Sequence, residues 1–104
     1  MQICKIKVTY RKTGFVCLYS HLDTARFFER ALRRTSLPFY VTQGFNPHPK
    51  ISYYGGIKLG AEGEAEAVFY FNEEVKEEDF RAALAGNVPK ELILVKVEKI
   101  PQGA

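Results

Sequence analysis

The side chains of this sequence best suited to chemistry lie in two blocks of its first half. SHLDTARFFERALRR, residues 20–34, carries His21, Asp23, Arg26, Arg30, Arg33 and Arg34, and GFNPHPK, residues 44–50, carries Phe45, Asn46, His48 and Lys50. At about 100° per residue, Arg26, Arg30 and Arg33 share a narrow sector of a helix, with Asp23 and Arg34 at its margin. Guanidinium is the group best shaped to grip phosphate through two parallel hydrogen bonds, so such a stripe suits a polyanion. The stripe also reads as a plain solvated face in which Glu29 pairs with Arg33 and Asp23 with Arg26.

The second block favours the polyanion. Pro47 and Pro49 flank His48 and forbid regular structure, so the loop is stiff and partly extended. It offers Phe45 for stacking, Asn46 and His48 for base edges and Lys50 for phosphate, and is followed by Tyr53, Tyr54 and the pair Gly55 and Gly56. Those are the types that single-stranded RNA recognition uses. The competing reading makes Phe45 a core plug and the tyrosines ordinary strand residues, and alternation must send one of Tyr53 and Tyr54 inward.

A catalytic reading rests on His21, Asp23 and His48, which have the chemistry for general acid/base work or for a metal site. Two histidines and one carboxylate are a thin set, so these three are candidates only, and neither a metal site nor a cofactor is assigned. The sequence has no phosphate-binding P-loop, no dinucleotide glycine fingerprint and no Ser/His/Asp signature.

Positioning these residues requires one small domain, since 104 residues suffice for a single core. QICKIKVTYRK alternates as a half-buried strand with Cys4, Ile6, Val8 and Tyr10 inward, and a turn follows at Gly14. FVCLY is either a returning strand or a continuation past a bulge. Ser20 and Asp23 form a capping-box-like start for a helix whose Leu22, Ala25, Phe28, Ala31 and Leu32 face the core. FYVT is expected as a small strand, KISYYGGIKL and EAEAVFYFN as two strands turning at GAEG, KEEDFRAALAG as a helix closed by Gly86, and LILVKVEKI as the last strand. The order strand, helix, strand, strand, helix, strand predicts an α+β, ferredoxin-like sandwich, an antiparallel sheet with two helices on one face, over residues 1–100, with 101–104 a tail.

Charge is divided along the chain. Residues 1–60 hold ten Lys/Arg against two acids, net +8, whereas residues 61–104 hold five against ten, net −5. One face is thus expected to seek polyanions and another to stay solvated. No apolar run approaches the roughly 20 residues of a membrane span, and Met1 leads into a strand pattern rather than a signal peptide. Cys4 and Cys17 lack metal-ligand spacing and read as core residues of a reducing, cytoplasmic protein. Oligomeric state is not legible.

The blocks RKTGFVCLYSHLDTARFFERALRRTSLPF and QGFNPHPKISYYGGIKLG closely resemble the domain-of-unknown-function family called the radical-SAM-linked protein family, over about residues 5 to 75. The resemblance points to Ser20, His21, Asp23, Arg26, Arg30, Arg33, Arg34, Gly44, Phe45, Asn46, Pro47, His48 and Pro49. It implies a short or truncated member, fused to or encoded beside a radical SAM protein with a cobalamin-binding region. The chain has no CxxxCxxC motif, so any radical chemistry would belong to that partner. Residues and resemblance together lead to the expectation of an accessory domain that binds RNA, tRNA or rRNA, for a radical SAM enzyme. The alternatives are an RNA-processing or RNA-modifying enzyme using His21 or His48, and a module that docks the enzyme through the acidic stretch 73–79 and a sheet edge.

Overall fold

The computed structural model describes residues 4–14, 21–54 and 63–100, the side chains of His21 and Leu22 excepted. Ser20, Cys17, the FVCLY segment, Gly55 and Gly56, residues 60–62 of the GAEG turn and the 101–104 tail lie outside the described residues, and Gly63 opens a strand. The elements are β1 (Cys4–Lys12), α1 (His21–Arg33), β2 (Ile51–Tyr54), β3 (Gly63–Phe71), α2 (Glu77–Ala85) and β4 (Leu92–Ile100). They form a four-stranded sheet of order β2-β3-β1-β4 with all neighbours antiparallel. This is the α+β, ferredoxin-like arrangement that the element order predicts.

The alternation of β1 produces the expected two faces. Cys4, Ile6, Val8 and Tyr10 are buried with Ala65, Ala67, Phe69 and Phe71 of β3, and α1 supplies Phe28, Ala31 and Leu32 and α2 Phe80 and Leu84 to the same core. Burying each large side chain contributes about 1.5–3 kcal/mol. Edge-to-face ring pairs link the layers: Tyr10 to Phe28 at 5.1 Å, Phe28 to Phe69 at 5.3 Å, and Phe69 to Phe80 at 5.0 Å. Alternation also decides the tyrosine pair. Tyr53 turns inward beside Phe28, and Tyr54 is 52% exposed.

FYVT does not become a strand. It makes two isolated bridges, Phe39 with Phe71 and Val41 with Pro49, because the Tyr40 N–H goes to the Tyr70 carbonyl, the His48 N–H goes to the Thr42 hydroxyl, and Pro38 has no N–H to extend the pairing with β3. Helix α2 ends at Gly86, which keeps a right-handed conformation (φ −77°); the Gly86 N–H donates to the Ala82 carbonyl and the Asn87 N–H to the Leu84 carbonyl. Among the described residues no helix is long and apolar enough to cross a membrane.

Candidate nucleic-acid interface

Helix α1 is strongly two-faced. Ala25, Phe28, Ala31 and Leu32 are buried, while Arg26, Arg30, Arg33 and Arg34 are all exposed on the side away from the sheet. Arg30 and Arg33 fall in the last turn, where positive charge also suits the helix dipole. Among the described residues the four ion pairs are Lys7 with Glu66 and with Glu98, Lys96 with Glu98, and Lys99 with Glu74. None involves these arginines, so Glu29 does not neutralise Arg33. Glu29 instead lies close enough to Tyr53 for its charge to help burial push that phenol up from its ordinary value.

The loop after α1 is a closed projection from the sheet edge. Tyr40 N–H donates to the Tyr70 carbonyl at 2.8 Å and Lys50 N–H to the Tyr40 carbonyl at 2.8 Å, which fixes its base on β3. One step out, Thr42 N–H donates to the His48 carbonyl at 2.9 Å and His48 N–H to Thr42 Oγ1 at 3.3 Å. The five residues between must reverse direction, and Gly44 does so at φ +138°, a conformation that L side chains rarely adopt. At the tip Phe45 is fully exposed, at 104%. The core-plug reading of Phe45 is thereby excluded. Asn46 and His48 are exposed on the same projection.

Lys50 lies at the foot of this loop on the open face of the sheet, the face without helices. Its Nζ is 4.6 Å from the centre of the Tyr70 ring and 5.9 Å from that of Tyr40. The register of β1 on β3 sets Lys5 opposite Tyr70, so Lys5 Nζ is 5.7 Å from the same ring. Ser52 Oγ and Tyr70 OH are 3.0 Å apart and share a hydrogen bond. Lys5, Tyr40, Ser52 and Tyr70 were not singled out from the sequence. Alternation alone puts Lys5 on the open face, but only strand register brings it to Tyr70, 65 positions away.

Further along the open face the charges cancel. Lys7 Nζ lies 3.3 Å from Glu66 and 3.6 Å from Glu98, and Lys96 lies 3.5 Å from Glu98. The hydrogen bond to Glu66, followed by the charge of that carboxylate and then of Glu98, holds the Lys7 ammonium above its ordinary value.

The predicted residues therefore do not form one cluster. Phe45, Asn46, His48 and Lys50 are gathered on one loop and its foot, whereas Arg26, Arg30, Arg33 and Arg34 lie on the helix side of the sheet. His48 Nδ1 is 3.1 Å from the Pro49 carbonyl, so the tautomer that donates there presents Nε2 as an acceptor. His21 opens α1, but its side chain lies outside the described residues, as does any pairing of the two histidines. Asp23 lies in the first turn of α1. Among the described residues no group of three or more His, Cys, Asp and Glu side chains is placed to hold a metal ion.

Fold and surface define a small α+β domain with one helix whose exposed arginines enter no ion pair among the described residues, and one exposed aromatic loop. The chain belongs to a family described as an uncharacterized protein conserved in bacteria, DUF2344, whose model matches residues 5–104. It matches no curated protein and no solved structure.

Proposed function

We propose that this domain binds RNA, of the tRNA or rRNA class, in the cytoplasm as an accessory to a radical SAM enzyme. The observation that carries the reading is the exposed row Arg26, Arg30, Arg33 and Arg34, which no ion pair among the described residues neutralises. Guanidinium groups left without carboxylates are available to a phosphate backbone. Phe45, projecting from the sheet edge, supplies a stacking surface, with Asn46 and His48 beside it to orient a nucleotide. The radical SAM partner follows from the resemblance of the SHLD and GFNPHP blocks, and the cluster for such chemistry would be the partner's.

A second reading, a docking module for that enzyme, is favoured by Ile93 and Val95, each 44% exposed on the bulged edge strand β4. The two readings are compatible, since β4 and the arginines belong to different surfaces. The test is fluorescence anisotropy of labelled bulk tRNA and of a single-stranded oligoribonucleotide at two salt concentrations. The reading expects binding that weakens as salt rises, and binding of neither RNA at low salt would reject it.

A further inference from the structure

The corner of the open sheet face made by Lys5, Lys50, Ser52 and Tyr70 has no part in a helix-borne contact, yet it has the properties of an anion site. Both ammonium groups lie within 6 Å of one ring centre, so they are at most about 10 Å apart. That is about one Debye length at 0.1 M salt, so the two positive charges reinforce one another in the solvent above the ring. Among the described residues neither forms an ion pair. The negative face of Tyr70 offsets only part of their repulsion. Of the two hydroxyls, Ser52 and Tyr70, one proton is spent on their mutual 3.0 Å bond and the other is left to donate outward.

We propose that this corner is a phosphate subsite for single-stranded RNA, from which the strand passes to the exposed ring of Phe45. The proposal rests on the RNA reading and deepens it by giving the strand a second contact and a path. The path has a boundary. Lys7 and Lys96 are matched by Glu66 and Glu98, so the middle of the open face offers a phosphate no net charge and the strand is steered toward the β2 edge and the loop. Lys50 belongs to both parts, its side chain over Tyr70 and its backbone closing the loop on Tyr40.

The experiment is an NMR titration of the isotopically labelled chain with pentauridylate and, separately, with tripolyphosphate. It is repeated on Lys5→Gln/Lys50→Gln and on Lys76→Gln/Lys90→Gln, which removes the same net charge elsewhere. With the wild type, pentauridylate should move the resonances of Lys5, Lys50, Tyr70 and Phe45. In Lys5→Gln/Lys50→Gln those shifts should vanish, and the slope of log K against log salt should shrink by about 1.4, two contacts at about 0.7 each. The Lys76→Gln/Lys90→Gln chain should match the wild type. Shifts confined to α1, unchanged in Lys5→Gln/Lys50→Gln, would overturn the subsite and leave the RNA reading standing. Tripolyphosphate moving the corner while pentauridylate moves nothing would overturn the RNA path and leave a bare anion site. No shift with either would overturn both.

Discussion

Helices α1 and α2 pack on the same face of the same sheet through buried phenylalanines, yet they use charge in opposite ways. In the acidic half, Glu74, Glu77, Arg81 and Lys99 tie elements together. Lys99 N–H donates to Glu77 Oε2 at 2.6 Å, the Lys99 ammonium pairs with Glu74, and Arg81 Nη1 donates to the Leu94 carbonyl at 3.2 Å, so α2 and the turn before it are tied to β4. In the basic half, the arginines of α1 enter no ion pair among the described residues, and the helix packs on the sheet through its apolar stripe. The same contrast recurs on the open face, where Lys7 is matched by two carboxylates and Lys5, two residues away, by none among the described residues.

If the helices differ in charge rather than in core, their phenylalanines should weigh alike. Phe28→Ala and Phe80→Ala are each expected to cost about 3–5 kcal/mol in urea unfolding, since both side chains are fully buried. A cost below about 1 kcal/mol for Phe28→Ala would mean that something besides packing holds α1.

The loop comes next in size. Gly44→Ala forces a side chain into φ +138° and is expected to cost about 1–3 kcal/mol locally. It should speed hydrogen exchange of the Thr42 amide, whose bond to the His48 carbonyl closes the loop. An unchanged rate would show that the loop does not depend on that glycine.

Smaller effects separate the two kinds of charge. Glu77→Ala removes the acceptor of the Lys99 amide and should cost about 1 kcal/mol. Arg30→Ala/Arg33→Ala should change stability by less than about 0.5 kcal/mol. Equal losses in urea unfolding would dissolve the distinction between committed and free charge.

The effect of Tyr53→Phe that bears on charge is read in alkali. Burial, then the charge of Glu29, raises the Tyr53 phenol, and burial raises Tyr10. A group raised on folding gives stability that is complete below its unfolded value, about 10 for tyrosine, and is lost as pH climbs through the folded one. Stability should therefore fall above about pH 10, less steeply in Tyr53→Phe, as measured by urea midpoints across that range.

Much of this organisation is legible in the sequence because it depends on local period. The alternation of β1 and the stripe of α1 each name their buried residues correctly, from Cys4 to Tyr10 and from Ala25 to Leu32. What could not be read depends on contacts between distant segments. FYVT has strand composition, but its Tyr40 N–H turns to Tyr70, the His48 N–H turns to the Thr42 hydroxyl, and only two bridges remain. Phe45 looks the same in sequence whether it plugs a core or crowns a loop, and the pairing of Thr42 with His48 decides between them. Lys5 and Lys7 are indistinguishable until β3 and β4 are in register, when one meets a tyrosine and the other two glutamates.

The central proposal, that the α1 arginines, which enter no ion pair among the described residues, meet phosphate, is tested most directly by one set of anisotropy titrations over a range of salt. Labelled tRNA is titrated with the wild type, with Arg30→Ala/Arg33→Ala and with Lys76→Gln/Lys90→Gln. Binding that weakens with salt, with a shallower salt slope in Arg30→Ala/Arg33→Ala alone, is the predicted result. Equal slopes for all three proteins, or no binding by the wild type, would contradict it.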